Sequence, residues 1–150
     1  QATATIQSTL YGLTFGTGKF QSNVAVLAFA ETVQTVTDFG GFRSTKDINS
    51  LSIPYLGGNS TKMAESINQA SSMISLNSRS FSRGVVVILS NSFNDFDVKD
   101  AASSFKEAGG VIISTIRMLP TRMLMTLQVL VSTLTHQQKS VETFYRHYVM

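Results

Sequence analysis

Residues 83–116 read RGVVVILSNSFNDFDVKDAASSFKEAGGVIISTI, and the fold class turns on this stretch. Residues 84–89 (GVVVIL) form a short, continuous, β-branched run opened by glycine, the pattern of a strand buried on both faces. After the polar residues 90–96, residues 97–108 (DVKDAASSFKEA) put Val98, Ala101, Ala102 and Phe105 on one face of a helix. Asp97 stands at its N-cap and Gly109-Gly110 at its stop. Residues 111–116 (VIISTI) are a second strand. Strand, amphipathic helix, strand implies an α/β class, with right-handed crossovers and a mainly parallel, doubly wound sheet.

Toward the N-terminus the same alternation continues. Residues 62–76 place Met63, Ile67, Ala70 and Ile74 on one helical stripe, preceded by the loop LGGNST at 56–61. Ser44 and Asp47, three positions apart, read as a helix start, and Pro54 is expected to end that short helix. Residues 23–30 (NVAVLAFA) predict a buried strand. Residues 33–39 (VQTVTDF) alternate as an edge strand rich in β-branched residues. Residues 3–15 space Ile6, Leu10 and Leu13 as a helix that Gly16-Thr17-Gly18 would end. Residues 77–83 are polar and expected to be exposed. After Pro120 the pattern supports two readings. Met123, Leu124, Leu127, Leu130 and Val131 fit a helix, whereas residues 128–133 (QVLVST) fit a strand. Residues 136–148 predict a final helix with Val141, Phe144 and Tyr148 inward.

The chain has 150 residues, enough for one domain with a substantial core. Hydrophobic residues are 43% and charged residues 14%, a globular composition and not a disordered one. The net charge of +3 comes with no Lys/Arg run, and residues 1–75 carry four bases and four acids, so nucleic acid is not an expected partner. With no cysteine, disulfides and Cys-based metal sites are excluded. No apolar run approaches the ~20 residues of a membrane span, so membrane insertion is not expected. The chain opens on Gln1 without a basic-then-apolar leader, which points to a removed leader or an excised piece.

Four stretches carry a resemblance: VAVLAFAETVQTVTDF, FRSTKDINSLSIPYLGGNST, the helix MAESINQASSMI, and the opening stretch at 83–116. Over residues 20–117 the chain resembles a von Willebrand factor type A domain, the Rossmann-like module of integrins, matrilins, collagens and many nematode secreted proteins, with 118–150 a divergent tail. The resemblance implies a divalent cation above the carboxyl ends of the strands. Its ligands would be an Asp-x-Ser-x-Ser run after the first strand, a threonine, and an aspartate after the fourth strand. Thr61 matches the threonine, and Asn91 stands where the aspartate is expected. The Asp-x-Ser-x-Ser run and the first strand are lacking, so the resemblance is to an N-terminally truncated domain. A hard cation needs anionic oxygens. No metal or other cofactor is therefore expected, and weak Mg²⁺ binding only if an upstream Asp-x-Ser-x-Ser exists. In that family the first strand lies between the strands here at 23–30 and 84–89. Its absence would leave two buried edges unpaired at ~1–3 kcal/mol per group, unless the chain is part of a longer protein, fills the gap with other residues, or packs irregularly. A fragment is the leading explanation.

No other chemistry emerges. Asp95, Asp97 and Asp100 lack the spacing of a calcium loop and read as acids at a helix start. His136 and His147 have no metal-ligand spacing, and neither a Gly-x-Ser-x-Gly elbow nor a phosphate loop occurs. No enzyme is expected. Asn59-Ser60-Thr61 is a glycosylation sequon. The expectation is an extracellular or secreted interaction module with a degenerate adhesion site. It would meet a protein or matrix partner through a rim at Asn59, Ser60, Thr61, Ser90, Asn91 and Ser92. The alternative is a non-binding spacer within a multidomain secreted protein.

Overall fold

The computed structural model describes residues 2–57, 61–90, 97–116 and 127–135. The elements are α1 (Ala2–Leu10), β1 (Asn23–Phe29), β2 (Val33–Thr37), α2 (Thr45–Asn49), α3 (Met63–Leu76), β3 (Ser82–Ser90), α4 (Val98–Glu107), β4 (Val111–Ile116) and β5 (Leu127–Thr135). The predicted helix at 136–148, with both histidines, lies outside the described residues.

The strands form one sheet in the order β2-β1-β5-β3-β4. β3 and β4 pair in parallel, Val85 opposite Val111 through Ser90 opposite Ile116. β1 points the same way, since β1 and β3 are both antiparallel to β5. The open α/β framework expected from the alternation of strands and helices is present, but three of the four strand pairings are antiparallel, because β2 and β5 run against β1, β3 and β4. The sheet is therefore mixed where a mainly parallel one was expected. β2 runs against β1 along one edge, with a register shift between Val26 and Leu27.

Helices cover both faces because side chains alternate along each strand. Ala25, Leu27 and Phe29 of β1, with Val86 and Ile88 of β3, pack against Met63, Ile67, Ala70 and Ile74 of α3 and Ala101 and Phe105 of α4. The intervening Val24, Val26, Val85 and Val87 pack with Ile6 and Leu10 of α1 and Ile48 of α2 on the other face. Each large aliphatic or aromatic side chain buried this way contributes about 1.5–3 kcal/mol relative to exposure.

The space between β1 and β3, where unpaired edges were expected, holds β5. Asn23–Phe29 pairs with residues 133 down to 127, and residues 82–89 pair with residues 135 down to 128. The ambiguous tail thus resolves as a strand in this segment, and its backbone satisfies both inner edges.

Two boundaries differ from the sequence reading. α1 stops at Leu10, before the expected Gly16: the N–H of Tyr11 still donates to Gln7 O, and Leu13 N–H then closes a short turn onto Leu10 O. Gly12 weakens further helix, while Leu13 still packs against the α1 side of the core. α2 ends at Asn49, before Pro54. Its cap is Ser50, whose N–H donates to Lys46 O and whose hydroxyl donates to Asp47 O. The start of α2 is as expected: one carboxylate oxygen of Asp47 accepts the N–H of Arg43 (2.9 Å), the N–H of Ser44 (2.8 Å) and the Ser44 hydroxyl (2.9 Å).

Candidate functional site

The carboxyl ends of β1, β3 and β4 share one edge of the sheet, and the chain enters β5 at the same edge, with Leu127 opposite Phe29. Crevices at such edges are where open α/β sheets take their ligands.

Thr61 is held here by its neighbour. The N–H of Lys62, the residue before α3, donates to Ala30 O at the end of β1 (2.9 Å). That bond fixes the entry to α3 against the strand. Lys62 also pairs with Glu65 at 2.9 Å, and the buried Ser66 hydroxyl donates to Met63 O, bracing the first turn. Thr61 Oγ1 is buried and meets no hydrogen-bond partner among the described residues. A buried hydroxyl left so costs about 1–3 kcal/mol.

Ser90, the last residue of β3, is 6% exposed at the same edge. Asp97 stands at the N-cap position of α4 and Asp100 lies in its first turn. Asp97 keeps helical backbone angles and makes no side-chain cap hydrogen bond, and it places an acid near the positive end of a helix. Of the other predicted rim residues, Asn59, Ser60, Asn91 and Ser92 lie outside the described residues, as does Asp95. The structure therefore brings Thr61 and Ser90 to one edge. Among the described residues no group of three or more His, Cys, Asp or Glu gathers to hold a metal.

A residue read as merely exposed has a structural task. The Arg79 guanidinium is partly buried and donates to Gly18 O (3.0 Å) and Gln21 O (3.1 Å) at the opposite edge. The polar run 77–83 gave no local sign of this, because the acceptors of Arg79 lie 61 and 58 positions away.

Helices on both faces of an open sheet define a doubly wound α/β domain. The family model of the von Willebrand factor type A domain matches residues 1–144, and the chain belongs to that family. The match extends beyond residues 20–117, where the local resemblance is clear, and takes in α1 and β5. Neither the comparison with curated proteins nor that with solved structures returns a match. Domains of this family generally act as protein–protein or adhesion modules and are often extracellular.

Proposed function

We propose that this chain is a secreted or ectodomain interaction module that engages a protein or matrix partner through the rim at residues 59–61 and 90–92, without a tightly held divalent cation. The carrying observation is the buried, unpartnered hydroxyl of Thr61 at the carboxyl edge of the sheet. It stands at the position of the family's threonine ligand, but the companion position is Asn91. One neutral hydroxyl and one amide bring no charge, and hard cations are retained by anionic oxygens. These residues do not fit a firmly bound Mg²⁺. Recognition then depends on loop shape and neutral polar contacts. A sugar on Asn59 in a secreted form would shade the same rim and further disfavour capture through a metal.

Titration calorimetry with Mg²⁺ and Mn²⁺ tests the metal half of this reading, and no saturable heat is expected. Micromolar affinity for either ion would overturn it. For the binding half, the chain is layered on immobilised basement-membrane extract with chelator present. Retention that survives chelation and is lost when Thr61 and Ser90–Ser92 are changed to alanine supports the module. Retention indifferent to those changes, or none, favours the spacer.

A further inference from the structure

The sheet edge opposite the rim carries a built feature that the proposed function does not use. Two β-turns lie there, one before β1 and one before β3. Gln21 N–H donates to Gly18 O (3.1 Å), which puts Lys19 and Phe20 at the first tip. Ser82 N–H donates to Arg79 O (2.9 Å), which puts Ser80 and Phe81 at the second. The Arg79 guanidinium then bonds both carbonyls that bound the first turn, so the two tips are held side by side.

Each tip offers an aromatic ring to solvent at the third position of its turn. Phe20 is 71% exposed and Phe81 48% exposed, and Leu76, at the end of α3 on the same edge, is 85% exposed. A cation sits over each ring, Lys19 Nζ above Phe20 and the Arg79 guanidinium above Phe81, both at 5.9 Å. Folding gains nothing from leaving two phenylalanine rings in water, and such clusters mark contact surfaces.

Among the described residues the charge at this edge is mostly basic. Lys19, Arg79, Arg83 and Lys106 lie beside the two turns and the end of α4, and Arg43 follows the Gly40 turn that bonds Asn23 Oδ1. Asp47, which accepts the Arg43 N–H, lies beside Arg43 with Lys46, and the other described acids here are Asp38 and Glu107, so the bases outnumber the acids. Among the described residues the rim edge has the reverse balance, with Glu31, Glu65, Asp97 and Asp100 against Lys62 and Lys99.

We propose that this basic, aromatic-tipped edge docks the domain on an anionic phospholipid surface. Phe20 and Phe81 enter the headgroup boundary, and Lys19, Arg83 and Lys106 meet lipid phosphates. The rings project from two separate turns. A folded protein partner would need two pockets at a matching spacing, whereas a fluid interface accepts both rings without one. Contact is superficial: no helix among the described residues is long and apolar enough to cross a membrane. Docked this way, the domain holds its rim away from the lipid.

The test is co-sedimentation of the full chain with large vesicles of phosphatidylcholine alone, and of phosphatidylcholine with about one third phosphatidylserine. Binding to the anionic vesicles alone, weakening with salt, is expected. Phe20→Ser with Phe81→Ser should lower the partition at least about tenfold, and Lys19→Glu with Lys106→Glu should lower it comparably. Both variants should keep the wild-type circular dichroism and melting temperature. Absence of vesicle binding by the folded chain overturns the proposal, as does equal binding by the variants. A fall in melting temperature in the Phe variant would instead make residues 136–150 of the same chain the cover for the rings. A dimer in sedimentation velocity that this variant disperses would assign the edge to a second copy. Retention on immobilised polyglutamate without vesicle binding would assign it to an acidic protein. Each of these three results also overturns it.

Discussion

At Thr61 and Asp47 single side chains make opposite contributions. Thr61 Oγ1 has given up water and gained no partner among the described residues. Thr61→Val keeps the shape and removes the stranded oxygen, so it should raise stability by about 1 kcal/mol, read as a shifted urea midpoint at unchanged slope. A loss of similar size would mean that the hydroxyl is used in the free protein. Asp47 is the converse case. The Arg43 N–H, first, and then the Ser44 hydroxyl and N–H hold its carboxyl below the usual aspartate range. A group whose folded pKa is depressed stabilises the fold fully above its unfolded pKa and loses that contribution as pH falls through the folded value. The melting temperature should therefore drop on acidification below the ordinary carboxylate range partly through Asp47. In Asp47→Asn that part of the drop should vanish. An identical acid limb in both proteins would show that the three hydrogen bonds to Asp47 do not matter to stability.

Among the elements, α3 shows how pattern becomes packing. Met63, Ile67 and Ala70 are fully buried and Ile74 nearly so, while Leu76 at its end is open. Ile67→Ala should cost about 2–5 kcal/mol through lost burial and the cavity left behind. Leu76→Ala should stay within about 0.5 kcal/mol. Equal costs would contradict the assigned face. At the start of β3, a methyl group on Gly84 would come within 2.8 Å of Ile74 Cγ2 and 3.5 Å of Phe105 Cζ. Gly84→Ala should therefore destabilise by about 1–3 kcal/mol, checked by chemical denaturation. The local chemistry of α3, β3 and α4 was legible in the sequence, because strand runs and helical stripes are short-range signals. β5 was only half legible: LQVLVSTLT has apolar residues spaced for either a helix or a strand. Pairing with β1 and β3 decides the matter, and no window around residue 130 contains those partners. The site divides the same way. Thr61 was singled out by the family resemblance, whereas the Arg79 bridge depends on carbonyls far away in the chain.

For the whole molecule, the central fact is that β5 joins two half-sheets, β2-β1 and β3-β4, which do not otherwise touch through strand pairing. Val131 pairs with Ala25 on one side and Val86 on the other. Val131→Pro removes an N–H and does not suit a central strand. It should strip hydrogen-exchange protection from β1 and β3 together and abolish the cooperative melt. Protection retained in both strands would mean that the half-sheets hold without their link.

That same position has a consequence for how the protein is made. A ribosome releases β1 and β3 well before the segment that must lie between them, at about 5–20 residues per second. For an interval of about a few seconds the nascent chain carries two long apolar strands with open sides, the kind of surface that seeds aggregation. Yield in a cell should then depend on what shields the growing chain during that wait, such as holding chaperones at the tunnel exit, as much as on the stability of the finished domain.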